Sequence, residues 1–242
     1  MGKQYWRGGN MLYPVPAVMV SCGRPEERPN IITVAWAGTV CSSPAMVSIS
    51  VRKERYSYDI LKETGEFVIN LITRDLTYAT DFCGVRSGRD VDKFAQMHLT
   101  PLPSQHISAP GIAESPVNLE CKVTQVIPLG SHDMFLAEVL GVTVDEKYMD
   151  ENGKFHLNDA GLVAYSHGEY FELGEKLGKF GYSVAKKQAA KTESVTKSAK
   201  PSGAGKKVAS AENRTASKTG AGNRRKSASK TGSADKQKSR RK

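Results

Sequence analysis

One stretch of this 242-residue chain gathers residue types able to hold an anion. Arg52-Lys53-Glu54-Arg55 ends a strand-like run and leads through Tyr56-Ser57 into a helical pattern. Free backbone N–H groups and the positive end of a helix dipole make such a junction attractive to an anion. Ser57 adds a hydroxyl donor, and the fork of Arg52 suits a phosphate. Upstream, Thr33-Val34-Ala35-Trp36-Ala37-Gly38-Thr39 sets small residues around one tryptophan. Small residues let a flat ligand approach the backbone closely. Taken alone, Trp36 reads as a core residue and the basic turn as a solvated, capped helix start.

Other residue types offer less. His98, His106, His132, His156 and His167 show no metal-ligand spacing, and no HExxH occurs. His167 reads as a hydrogen-bonded structural histidine, and Cys83 as a buried, inert thiol. Cys22, Cys41, Cys83 and Cys121 stand far apart and form no CxxC pair, which argues against a zinc ribbon or a disulfide scaffold. Reduced thiols of a cytoplasmic protein are the expectation. The run from Met11 to Cys22 follows Lys3 and Arg7 like an export signal, but Pro14 and Pro16 interrupt it. No apolar run approaches the ~20 residues of a membrane-spanning helix. Gly203-Ala204-Gly205-Lys206 lacks the strand-to-helix context of a nucleotide loop.

The elements that must position these residues are mostly strands. Ala17 to Cys22, Asn30 to Val40 and Glu66 to Leu71 are β-branched runs, and Met46 to Arg52 alternates as a half-buried strand does. Asn118 to Ile127 and Met134 to Asp145 flank a turn-rich insert at 128–132 and read as a long antiparallel hairpin. Leu162 to Leu173 offers a last strand or two. Helices are few: Ser57 to Thr64, opened by a cap residue and followed by Gly65, with Asp75 to Phe82 and Asp90 to Met97 as short candidates. Glu175 to Val184 is ambiguous because Gly178 and Gly181 weaken it. Many strands with few short helices predict a mainly β fold, a closed or nearly closed barrel with helices packed outside.

Charge divides the chain. Residues 186–242 hold 18 Lys+Arg against 3 Asp+Glu, while residues 1–185 hold 17 against 22. All 18 aromatic residues lie at or before Tyr182. A segment with high net charge and no aromatics cannot bury enough apolar surface to offset its chain entropy. The expected organisation is one domain over 1–185 and a disordered Lys/Ser/Ala/Gly-rich tail over 186–242. Ala-Ser-Lys-Thr-Gly recurs at 216–220 and 228–232, a low-complexity signature. Such a tail attracts nucleic acid or another anionic surface nonspecifically, by counterion release, or serves only to solubilise.

The order of the pieces is more specific than any one of them. NxxTxAWxG, then SSP, then SxSVRxxRYSxxxI, then GEFVxNL resembles the flavin reductase-like FMN-binding split-barrel family, in its flavoredoxin-type branch. The likeness continues through Cys83-Gly84, through Ser87-Gly88-Arg89-Asp90-Val91-Asp92-Lys93-Phe94 and to Tyr170-Phe171-Glu172-Leu173-Gly174. The resemblance implies a six-stranded antiparallel split β-barrel, a homodimer, and FMN bound noncovalently, with FAD as the alternative. It implies an oxidoreductase passing electrons from NAD(P)H or a redox protein to an acceptor such as flavin or ferric iron. A non-enzymatic flavin-binding scaffold tethered to polyanions by the tail is the competing reading. By position, Thr33, Val34, Ala35, Trp36 and Ala37 resemble the wall along the flavin ring. Ser50, Val51 and Arg52 resemble the strand-end contacts to the ribityl chain and phosphate. Tyr56 and Ser57 resemble the helix-start phosphate contacts. The resemblance also implies that Cys83 belongs with the flavin-contacting set, and the loop from Ser87 to Lys93, with Ser87, Asp92 and Lys93, resembles one that closes over the cofactor. No catalytic acid–base set is implied, because the cofactor carries the chemistry.

Overall fold

The computed structural model describes residues 1–185. The expected disordered tail over 186–242 lies outside the described residues. Twelve strands are described: β1 (Val15–Pro16), β2 (Val18–Cys22), β3 (Asn30–Val34), β4 (Ala37–Ser42), β5 (Ala45–Arg52), β6 (Glu66–Leu71), β7 (Pro101–Leu102), β8 (Gly111–Ile112), β9 (Val117–Pro128), β10 (His132–Val144), β11 (Val163–Ser166) and β12 (Glu169–Glu172). Three short α-helices accompany them: α1 (Tyr56–Thr64), α2 (Thr77–Val85) and α3 (Lys93–Gln96). Glu175 to Val184 forms no α-helix; only a single 3-10 turn stands at Tyr182–Val184.

The main sheet has the order β3-β2-β6-β9-β10-β5-β4, antiparallel at every pairing. β3 and β4 occupy opposite edges, yet only Ala35 and Trp36 separate them in the chain. The run expected as one strand, Asn30 to Val40, therefore bridges the two edges and curls the sheet into a barrel. At the join the Ser50 N–H donates to the Trp36 carbonyl at 2.8 Å. With β3 and β4 taken as one bent strand, this is a six-stranded split barrel.

Side-chain alternation builds two cores. Val18, Val20 and Cys22 of β2 point into the barrel with Ile32, Val47, Ile49, Val51, Phe67, Ile69 and Phe135. On the opposite face, Met19 of β2 and Ala17 just before it turn outward against Ile31, Leu76, Ala79, Cys83 and Phe94, where α2 and α3 pack. A strand covered on both faces reads as an unbroken apolar run, as Ala17–Val20 does. α1 differs from the expected outer position, since Tyr58, Ile60 and Leu61 join the inner core. β5 is buried at alternate residues Val47, Ile49 and Val51, so Ser48, Ser50 and Arg52 face the other way. That alternation, and the bend at Ala35-Trp36, place the residues considered next.

Candidate functional site

A cleft of about 280 Å³ opens where β3, the start of α1 and the end of α2 meet. Asn30, Ser57 and Lys93 form its polar floor, and all three are buried. Buried polar groups demand partners. Asn30 Nδ2 donates to Ser57 Oγ at 2.7 Å. The Lys93 ammonium donates to the carbonyls of Ile31 at 2.6 Å and Cys83 at 2.7 Å. An ammonium has three donors, so one remains for the cleft. Burial pushes the Lys93 pKa down to about 8, which still leaves it charged at neutral pH.

α1 begins without a side-chain cap. Arg55 occupies the N-cap position with φ −71° and ψ 138°, and its side chain makes no capping bond. Ser57, the expected cap, lies inside the helix with its hydroxyl turned to Asn30. N–H groups in an uncapped first turn keep their affinity for an anion, and Tyr56 and Ser57 line the cleft there.

The segment from Gly84 to Arg89 roofs the cleft. A Cβ built at Gly88 would stand 2.1 Å from Asn30 Oδ1 and 2.7 Å from a Tyr56 ring carbon. Only glycine lets the roof come this close. Arg28 donates to the Gly88 carbonyl at 3.0 Å, Arg55 to the Gly84 carbonyl at 3.4 Å, and Arg89 to the Glu54 carbonyl at 3.3 Å. Arg89 also lies 5.4 Å from the centroid of the Tyr56 ring, within cation–π range.

A second, more open groove of about 430 Å³ includes Trp36, Ser50, Leu129 and His132 with Gly9 to Leu12. Tyr13 backs Trp36 at 6.3 Å between ring centroids, and packs edge-on against Tyr165 at 6.2 Å and His167 at 5.9 Å. His167 thus belongs to an aromatic cluster behind Trp36.

The residues anticipated from the sequence divide between the cleft, the groove and positions away from both. Tyr56, Ser57, Cys83, Ser87 and Lys93 come together around the cleft, and Trp36 and Ser50 around the groove. Ala35 and Ala37 flank Trp36 and are half-buried. Val34 and Val51 point into the barrel core. Thr33 donates its hydroxyl to the Thr80 carbonyl. Arg52 is exposed and paired with Glu54 at 2.7 Å. Asp92 caps α3 by accepting from the Ala95 N–H at 3.1 Å. The sequence reading gave no role to Asn30 at the cleft or to His132 at the groove, whereas Arg55 belonged to its basic turn and Arg89 to its closing loop, and both line the cleft. Asn30 opens the NxxTxAWxG run, so its signal was present, whereas His132 was hidden in a turn-rich insert.

The thiols near the cleft are held in their protonated form. Burial pushes Cys22 and Cys83 up to about 11, so neither is a thiolate at neutral pH. Cations, a hydroxyl and a helix start can hold a phosphate, and an aromatic groove with small neighbours can line a flat ring.

The flavin reductase like domain matches residues 10–174. The chain belongs to that family. The flavin reductase-like chain is 33% identical to flavoredoxin of Desulfovibrio vulgaris (Miyazaki F), with a TM-score of 0.70, covering 76% of this chain and 100% of that one. It is 31% identical over 160 residues to an uncharacterized protein of Archaeoglobus fulgidus, covering 66% of this chain and 88% of the relative. An FMN-binding protein from Thermus thermophilus shares the fold at 23% identity and a TM-score of 0.61, covering 74% of this chain and 97% of that one.

Proposed function

We propose that this family member is a flavoprotein oxidoreductase that binds FMN noncovalently and passes electrons from NAD(P)H or a redox protein to an acceptor such as flavin or ferric iron. One observation carries the cofactor reading: a buried ammonium with a donor to spare, beside a buried hydroxyl and an uncapped helix start. Burying Lys93 without a carboxylate partner is costly unless an anion completes the site. In this reading the Ser57 cleft takes the phosphate, and the Trp36 groove takes the ring. The bound flavin supplies the hydride and electron chemistry. The chain's own residues bind and orient: Lys93 and Ser57 donate to phosphate oxygens, Gly88 brings the roof down, and Trp36 with Ala35 and Ala37 excludes water from one side.

A homodimer is part of the reading. Val40 on β4 and Leu140 and Val142 on β10 remain exposed, an apolar surface that suits a second copy. The domain is taken as 1–185, with the segment 186–242 adding salt-sensitive attraction to polyanions.

Titration of the full-length protein with FMN, followed by visible flavin absorbance and calorimetry, tests the assignment. Stoichiometric uptake is expected, with anaerobic bleaching by NADH, NADPH or a reduced ferredoxin. A protein that takes up neither FMN nor FAD refutes the reading. Uptake with no bleaching by any donor favours the non-enzymatic scaffold.

A further inference from the structure

Five pairs of aromatic rings stand in contact among the described residues, and four of them belong to one cluster. The fifth, Tyr58 against Phe135, lies in the barrel core. Within the cluster the rings follow one another in a line. Between ring centroids, Trp36 of the groove lies 6.3 Å from Tyr13, Tyr13 lies 6.2 Å from Tyr165, and Tyr165 lies 5.6 Å from Tyr170. Every step falls inside the contact range of aromatic rings, about 4.5–7 Å. The line ends at a carboxylate. The Tyr170 hydroxyl donates to Asp81 Oδ1 at 3.3 Å, and Asp81 is exposed on α2.

A small sheet holds the line in place. β1, β11 and β12 are joined antiparallel, and Tyr165 stands between Val15 on one side and Tyr170 on the other. The turn at His167-Gly168, with φ of 50° and 96°, sets that register. Directly opposed side chains of an antiparallel pair are held close together. Tyr13 enters from just before β1, and Trp36 from the bend that joins β3 to β4. Packing needs only the rings. Yet all three positions beyond Trp36 carry tyrosine, and none of the seven phenylalanines of the chain stands in the line. What a phenol adds is a ring that can give up an electron and a proton together.

We propose that Trp36, Tyr13, Tyr165 and Tyr170 carry an electron vacancy from the groove to the surface, protecting the groove from oxygen-derived one-electron oxidants of the hydroxyl-radical class. The inference rests on the flavin reading only for the source of the oxidant, a reduced ring meeting dioxygen beside Trp36. The oxidant takes one electron from the Trp36 indole and becomes hydroxide. Tyr13 then refills Trp36, Tyr165 refills Tyr13, and Tyr170 refills Tyr165. Tyr13 and Tyr165 are half-buried, and they pass their phenolic protons to water when oxidised and recover them when refilled. At Tyr170 the proton moves to the Asp81 carboxylate as the electron leaves. The sum is one hydroxide, one tyrosyl radical and one protonated Asp81, with the other three rings restored. Tyr13 and Tyr165 make no side-chain hydrogen bond among the described residues. Tyr170 is thus the one member of the line with a fixed proton acceptor, and the vacancy settles there. Burial and Asp81 hold its phenol up at about 12, so it keeps its proton until it is oxidised. A thiol or ascorbate from solution returns the electron, and Asp81 returns the proton. His167, 5.9 Å from Tyr13, is a side branch, because an imidazole is harder to oxidise than a phenol.

Pulse radiolysis with azide radical on the full-length, flavin-free protein tests the route. Trp6 is exposed and is the only other tryptophan, so every protein compared carries Trp6→Phe. Azide radical oxidises Trp36, and the decay of the tryptophanyl band should match the rise of a tyrosyl band at a rate independent of protein concentration. Tyr13→Phe keeps the ring without the phenol and should slow this transfer at least about tenfold, equivalent to ~1.4 kcal/mol on its barrier. Tyr165→Phe interrupts the line at a second position and should reproduce the loss, whereas Tyr148→Phe, off the line, should leave the rate unchanged. Nitroso spin trapping with peptide mass spectrometry should place the adduct on Tyr170, and Asp81→Asn should remove that preference. With ferrous iron and peroxide as the oxidant source, Tyr13→Phe should accumulate severalfold more oxidised Trp36 than its parent. Matching near-ultraviolet circular dichroism and urea midpoints show that the variants are folded. A transfer rate indifferent to both Tyr13→Phe and Tyr165→Phe overturns the proposal, as does an adduct spread evenly over the exposed tyrosines. Transfer to Tyr170 in a protein that takes up no flavin sustains the route while refuting the flavin reading.

Discussion

Lys93 shows how one residue links stability to the site. Its folded pKa, about 8, lies below the usual 10.5. Between those values the unfolded chain binds more protons, so this group makes stability rise with pH. Cys22, Cys83 and Cys121 act in the opposite sense: burial pushes them from 9.0 to about 11, 11 and 12. Above pH 9 the unfolded thiols ionise while the folded ones stay protonated, and stability falls. The flavin-free protein should thus show a urea midpoint that climbs from about pH 7.5, peaks near about pH 8.5 and then drops. Lys93→Met should abolish the climb and keep the drop; a midpoint flat from pH 8 to 10 contradicts the assignment. Gly88 makes a steric prediction. Its added Cβ meets Asn30 Oδ1 at 2.1 Å, and Asn30 is buried and bonded to Ser57, so it has little room to move. Gly88→Ala should cost about 1–3 kcal/mol, as overpacking does, and should weaken FMN at least about tenfold. Denaturation and FMN titration read the two effects separately.

β6 carries a different kind of constraint. Asn70 is fully buried, and its Nδ2 donates to the Met19 carbonyl at 2.9 Å and Ser21 Oγ at 3.0 Å. Its Oδ1 accepts from the Ile112 N–H at 2.9 Å and Asn118 Nδ2 at 2.8 Å. One amide thus ties β2, β8 and β9 to β6. Each buried group left unpaired costs about 1–3 kcal/mol, so Asn70→Ala should destabilise the fold by roughly 3 kcal/mol or more. The flavin affinity of the fraction that still folds should change little, because Asn70 lines neither the cleft nor the groove. A loss below about 0.5 kcal/mol in chemical denaturation would show that water or a neighbour replaces the amide. At the same scale, the period of β5 explains why neighbours in sequence have different surroundings. Val51 packs inward, while Ser50 reaches the groove. A motif quoted as consecutive residues must alternate between core and surface once it becomes a strand.

At the scale of the whole molecule, the family match covers residues 10–174, and the excess positive charge lies beyond it. A chain ending at residue 185 should retain full FMN stoichiometry and a dimer mass by light scattering, and should lose salt-sensitive retention on DNA. Loss of flavin from the shortened chain would show that the basic segment belongs to the site. The proposed cofactor assignment needs the barrel, because it asks the Ser57 cleft and the Trp36 groove to serve one ligand. β3 and β4 run to opposite edges of the sheet, yet Ala35-Trp36 joins them beside β5.

The sequence by itself determined the fold class, the β9–β10 hairpin, the start of α1 within a residue and the family, because these depend on local periodicity and on the order of short motifs. It also located the excess of positive charge in residues 186–242, since charge is additive along the chain. It did not determine that Ser57 faces Asn30 rather than capping α1, that Val34 and Val51 serve the core, or that Asp92 serves α3. Those outcomes depend on which face of each strand the barrel closes upon. Arg55, Arg86 and Arg89 line one cleft only because the Gly84–Arg89 roof folds onto Tyr56. That pairing of distant segments is set by packing and backbone approach, and no spacing along the chain encodes it.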